Sequence, residues 1–351
     1  MIEVDGGEGG GQLLRSALAF AALTGEAVHV SDVRGARSEP GLRPQHCAVV
    51  RLLARICDAD VAAGHGDEAT GEDPAADAVA VGATALTFDP GPVRPGRYEV
   101  DVETAGSVTL LFDAVLPLAT AIDAPLVVEA SGGTNVAWSP SMAYYRGTKL
   151  PLLRRHGLQA TVEVDRPGIY PAGGGAATLF LAPSTLSPLS LRDRGDRTGA
   201  RVRSVASADL AEQSVAQRQA ARATERLTDA GLSVVERVVR DAEADSPGSA
   251  LAIRLDYEAS LAGFDALGAE GKPAESVADD AADAALSFDG GPAAVDRHAA
   301  DQLLVFIALA GGQVRIPDVT DHVASNRDLL AAFGFEVPVD RRAAGAVVGS
   351  G

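Results

Sequence analysis

Lysine is nearly missing from this chain. Of 30 basic residues only Lys149 and Lys272 are lysines, while Asp and Glu number 48 and the net charge is −18. An acidic surface almost without lysine fits a salt-rich cytoplasm, where carboxylates hold water and counter-ions and screening removes their mutual repulsion. Global charge therefore excludes no anionic partner, but a site for one has to be local and built from arginine. Cysteine is equally scarce: Cys47 and Cys57 fall in one predicted helix and read as small buried hydrophobes, which excludes a disulfide framework and fits a reducing compartment. No apolar run is long enough to span a bilayer, and no charged segment followed by a hydrophobic one opens the chain, so a cytoplasmic location without membrane contact is expected. A GxxxxGK[ST] phosphate loop is absent too.

What is present is glycine in the right places. Gly6, Gly7, Gly9, Gly10 and Gly11 surround Glu8, and an amphipathic run with Arg15 follows at once. Glycines free the backbone to turn its N–H groups toward one point, and a helix starting there adds its positive end. An anion site is expected, with one carboxylate whose use would be a metal carried with phosphate.

Three segments repeat one pattern: residues 11–33, 107–131 and 301–319 each read as an apolar helix, a Gly or Asp turn and a short β-branched strand. A loop and second helix follow each, at 43–56, 140–155 and 325–333, then strands at 60–61, 160–164 and 336–339. The expected architecture is α/β: three helix–strand units around a shared core (residues 1–182 and 274–351), with a smaller α/β domain inserted at 183–273 between the second and third units. The acid-rich stretch at 67–77 reads as a solvated loop.

The loops after the strands carry the chemistry. Residues 34–46 hold Arg34, Arg37 and Arg43, whose guanidinium forks suit phosphate oxygens, followed by Gln45 and His46. Residues 131–140 offer Gly-Gly, Thr134, Asn135, Trp138 and Pro140; the tryptophan could flank a base or serve as a hydrophobic staple. In the third unit, His322 stands in a loop, where imidazole would be a nucleophile or proton carrier, and Asp301 reads as a helix N-cap.

Together, GEGGGQLLRSAL (7–18), RGARSEPGLRPQH (34–46), ETAGSVTLLFDAVLP (103–117), SGGTN (131–135), YPAGGG (170–175), HAADQLL (298–304) and DHVASN (321–326) resemble RNA 3′-terminal phosphate cyclases over nearly the whole chain. The resemblance implies three repeats like the C-terminal domain of translation initiation factor 3 plus an inserted small domain. It implies ATP-dependent conversion of an RNA 3′-phosphate to a 2′,3′-cyclic phosphate, through a histidinyl-AMP and an RNA adenylate. His322 matches the nucleophile, Glu8 the acid near a divalent metal (Mg or Mn), and Asp301 and Gln302 the nucleotide-binding segment. His298 and Pro140 match the residues on either face of the adenine. Arg15, Arg34, Arg37, Gln45 and His46 match the holders of the RNA end. Asp113 stands where relatives usually carry a nucleotide-contacting glutamine. A non-catalytic cyclase-like protein of ribosome assembly is the alternative, but such proteins lack the nucleophile. An enolpyruvyl transferase would need a lysine-rich site. The sequence leaves the oligomeric state open.

Overall fold

A computed structural model of the chain describes residues 1–64, 79–103 and 105–349; the acid-rich loop expected at 67–77 lies outside them. Three of its sheets share one topology. In the first unit, β1 (Ile2–Asp5), α1 (Gly11–Thr24), β2 (Val28–Ser31), α2 (Pro44–Cys57), β3 (Asp60–Gly64) and β4 (Ala85–Asp89) give the strand order β1-β2-β4-β3, with only the first pair parallel. The second unit runs β5 (Gly96–Asp101), α3 (Val108–Val115), β6 (Leu126–Gly132), α4 (Met142–Tyr144), a single π-helical turn at Tyr145–Lys149, α5 (Leu150–Arg154), β7 (Ala160–Arg166) and β8 (Gly175–Leu181). Its order is β5-β6-β8-β7 with the same directions.

The third unit begins with β9 (Leu189–Leu191), which pairs in parallel with a strand more than a hundred residues later. Between the two lie β10 (Arg197–Ser207), α6 (Val215–Asp229), β11 (Val234–Ala242), β12 (Ser249–Tyr257), β13 (Leu261–Leu267) and α7 (Ala274–Asp289), whose sheet has the order β11-β10-β12-β13. The third unit then resumes with α8 (Arg297–Gln302), α9 (Leu304–Ala310), β14 (Gly312–Ile316), α10 (Asp321–Ala332), β15 (Val339–Arg341) and β16 (Ala346–Val348), in the order β15-β16-β14-β9. The insertion thus interrupts the third unit instead of preceding it. Nor do the limits expected at 183 and 273 follow the packing: β9 belongs to the larger body. The apolar face of α7 (Val277, Ala278, Ala281, Ala282, Ala285) joins the smaller core with Leu251, Ile253 and Leu255 of β12. We propose 192 and 290 as its working limits.

The strands form because their apolar residues alternate: β6 and β8 bury every second side chain, as a sheet covered on one face requires. The helices close on one another. α1 touches α3 of the second unit and α10 of the third, and Phe20 of α1 meets Phe333 and Phe335 at ring distances of 5.8 and 5.0 Å. α2 starts with Pro44 in its first turn and ends at Asp58 in the left-handed region; Cys47 and Cys57 are buried and free. Burial pushes the Cys57 thiol up to about 12. Among the described residues no helix is long and apolar enough to cross a membrane.

Candidate active site

The helix starts of the first and third units face one cavity of about 1000 Å³. It is lined by His322, His298, Asp301, Gln302, Pro140, Asp113, Arg15, Arg34, Arg37, Gln45 and His46. These residues are far apart in sequence, and the three-fold packing of the helices brings them together. Glu8 is different: it is exposed and does not line the cavity. Among the described residues no group of three or more His, Cys, Asp or Glu stands ready to hold a metal ion. With its expected carboxylate outside the cavity, the donor set does not fit a metal, and we derive no step through one.

Glycine decides the local geometry twice. The Cα of Gly11 passes so close to His46 that a Cβ there would stand 2.2 Å from Nε2, so any side chain there would have to displace the buried His46 ring. A Cβ on Gly10 would stand 3.3 Å from Arg37 Nη2 and 3.4 Å from His322 Cε1. Gly10 is therefore the point where the glycine run, the arginine loop and the third unit's histidine meet. As N-cap of α1 it offers no side-chain cap, leaving backbone N–H groups of the first turn for a ligand.

The arginine loop divides its labour. Arg34 turns its guanidinium onto the Glu39 and Gly41 carbonyls (3.1 and 2.8 Å), and Arg43 pairs with Glu39. Both hold the loop's shape. The Arg37 guanidinium makes neither hydrogen bond nor ion pair among the described residues, and neither does that of Arg15. Gln45 Oε1 accepts the Ser107 N–H at 3.3 Å, tying the first unit to the second. His46 Nδ1 accepts the Arg43 N–H at 3.0 Å. Burial, then the nearby Arg15, Arg34 and Arg43, pull its pKa down to about 3, so this imidazole is neutral.

His322 sits in the first turn of α10, whose N-cap Thr320 accepts the Val323 N–H at 3.2 Å, and not in the expected loop. Burial and then Arg37 and Arg15 lower its pKa from 6.5. A neutral ring keeps a lone pair free at neutral pH. The expected N-cap role of Asp301 is also corrected. Asp296 caps α8, accepting from Ala299 N at 2.9 Å, and Asp301 lies a full turn inside with Oδ1 buried and unpartnered. Burial raises the Asp301 carboxyl to about 6, against the pull of His298 and Lys149. Gln12 Nε2, Gln302 Oε1 and Asn326 Oδ1 are likewise buried without partners. Native proteins leave few such atoms unless a ligand or water completes them.

Two wall residues escaped the sequence reading. Lys149 is buried and bonds Asp113 at 2.5 Å, so Asp113, expected to touch nucleotide, has a partner inside the protein. A lysine between Thr148 and Leu150-Pro151-Leu152-Leu153, in a chain with two lysines, was a visible signal. Asp265, from β13 of the smaller body, accepts the Ser141 N–H at 2.6 Å and lies 3.9 Å from His298 Nε2. The ring of His298 rests edge-on against Tyr144 at 5.5 Å. The smaller body thus supplies part of the wall. In all, the lining carries six Lys and Arg side chains (Arg15, Arg34, Arg37, Arg43, Lys149, Arg297) against three carboxylates (Asp113, Asp265, Asp301), the reverse of the chain's balance.

Comparison with known proteins shows the family. The sequence profile described as RNA 3′-terminal phosphate cyclase matches residues 6–337. The chain belongs to the RNA 3′-terminal phosphate cyclase family. Relatives of that name include one from Halobacterium salinarum, 45% identical over 98% of both chains. Others come from Thermococcus onnurineus (37%, covering 95% of this chain and 93% of the relative) and Pseudomonas fluorescens (37%, 95% and 92%).

Proposed function

We propose that this protein uses ATP to convert RNA 3′-phosphate ends into 2′,3′-cyclic phosphates, with His322 as the nucleophile. The observation that carries the proposal is the meeting of a neutral imidazole with the unpaired guanidiniums of Arg15 and Arg37 around the uncapped start of α1. An imidazole nitrogen attacks the α-phosphorus of ATP, and the bond to pyrophosphate breaks. An oxygen of the RNA 3′-phosphate then attacks the same phosphorus and releases the histidine. Finally the adjacent 2′-OH attacks the 3′-phosphorus, losing its proton, and AMP leaves. Each step moves a phosphoryl group in line, so positioning and neutralisation of charge do most of the work. Arg37 and Arg15 neutralise the oxygens; Pro140 and His298 flank the adenine; the unpartnered Asp301, Gln302 and Asn326 atoms complete their hydrogen bonds on the nucleotide.

The test is self-adenylylation. The protein in concentrated potassium chloride with labelled ATP and a divalent metal is expected to acquire an acid-labile AMP, and His322→Ala and His322→Asn to lose it entirely. An adduct that persists in either variant removes His322 from the role.

A further inference from the structure

One exposed aromatic on the lip of the cavity has no part in these steps. Trp138, the only tryptophan in the chain, lines the cavity and is 96% exposed, so it is no hydrophobic staple. Its φ of 61° is a left-handed conformation that a bulky residue keeps only where its surroundings impose it. The loop is pinned on both sides of the ring. The Thr134 and Asn135 N–H groups both donate to the Gly168 carbonyl at 2.9 Å, Ser139 Oγ donates to the Val136 carbonyl at 3.0 Å, and the Ser141 N–H is held by Asp265. The Gly168 loop carries Tyr170, itself 64% exposed, next to Ile169, which is bridged to Asn135. Two aromatic rings thus stand in water on loops fastened to each other. Pro140, two residues on, is already buried in the cavity wall, with its carbonyl accepting from Thr109 at 2.9 Å. On the reading proposed above, the nucleotide end is inside and Trp138 is outside.

We propose that Trp138, with Tyr170 on the adjoining loop, is a stacking platform for unpaired bases of the RNA strand just upstream of its 3′-phosphate. The proposal rests on the RNA-end reading above. Every base has a π-face, so such a platform holds any sequence but demands a single strand. Concentrated salt weakens phosphate contacts by removing the gain from counter-ion release, which leaves stacking a larger share of the affinity.

Because Trp138 is the sole tryptophan, its own fluorescence reports the contact. The intact protein in concentrated potassium chloride is titrated with a 3′-phosphorylated single-stranded oligoribonucleotide, with a blunt duplex bearing the same end, and with ATP. The single strand is expected to quench the emission; the duplex and ATP are not. By anisotropy of the labelled strand, Trp138→Ala should bind roughly fivefold to a hundredfold more weakly and Trp138→Phe should recover most of the loss. Quenching by ATP alone would assign the ring to adenine and overturn the proposal, as would equal quenching by the duplex or undiminished binding by Trp138→Ala. The AMP adduct of the unaltered protein is read separately. An adduct with bound RNA and unchanged emission sinks the platform alone, whereas no adduct and no RNA binding sinks both readings.

Discussion

Arginine is used differently on the smaller body and in the cavity. On the smaller body seven of the eleven arginines have found an acid, among them Arg218 with Glu275, Arg222 with Glu225 and Asp279, Arg226 with Asp279 and Asp283, and Arg201 with Glu236 and Asp256. In the cavity, Arg15 and Arg37 make no ion-pair contact among the described residues, and polar atoms of Gln12, Asp301, Gln302 and Asn326 are buried unpartnered in the same lining. In a protein with an excess of carboxylates, leaving two guanidiniums without one takes an arrangement of the chain. Paired arginines hold helices together; unpaired ones are held for something that comes and goes.

Four variants would break or sharpen this contrast. The largest effect belongs to Lys149→Met, which strands the Asp113 carboxylate in the cavity wall. Loss of a buried partner should cost about 3–5 kcal/mol in urea unfolding, and Asp113→Leu in the same chain should restore most of it. A loss below about 1 kcal/mol would mean the pair is wetter than its burial implies.

Next is Asp301→Asn. The folded-state pKa of Asp301 is raised from 3.8 to about 6, so the native state binds more protons than the unfolded one in that window, and stability falls as pH rises through it. The variant should be more stable than the parent by up to about 3 kcal/mol at pH 7, with the gap closing below about pH 4. It should also form less AMP adduct. Thermal unfolding across pH 4 to 7 reads the first part; a gap that does not change with pH would refute it.

Arg37→Ala comes third. Cyclisation of a 3′-phosphorylated RNA should slow about tenfold to a hundredfold, as expected for one charge-assisted contact, and self-adenylylation should suffer less. Equal losses in both would take the arginine loop away from the RNA end. Smallest is Arg218→Ala on the smaller body, where an exposed, solvent-screened pair adds little, so the urea midpoint should barely move and the cyclase rate should be unaltered.

Much of the site was legible because each part follows a local rule. Glycines open a helix, arginines cluster between Gly and Pro, and a histidine stands in a motif of polar residues; Gly10, Gly11, Arg15, Arg34, Arg37, Arg43 and His322 so chosen line one cavity, and Glu8 does not. The misreadings were equally local. Asp301 looked like a cap because it precedes an apolar run, but Asp296 starts the helix earlier. His322 read as loop because polar residues begin α10. The leading strands β1, β5 and β9 and the closing strands β4, β8 and β16 were missed: most are three to six residues long, and short mixed runs carry weak periodicity. The insertion was found but misplaced, because β9 is only three residues and pairs with a strand on its far side.

What the amino-acid order determined by itself was the periodic pattern of three apolar helix–strand units, the extra α/β segment within them, and the stock of chemistry-bearing residues. The tertiary structure decided which of these meet. Only packing of α1 against α3 and α10 sets Gly10 between Arg37 and His322 and turns a lysine into the partner of Asp113. The same packing brings Asp265 from the smaller body to His298. Burial and electrostatic neighbourhood are properties of that packing, so the lowered imidazoles and the raised carboxyl exist only once the chain has closed around the cavity.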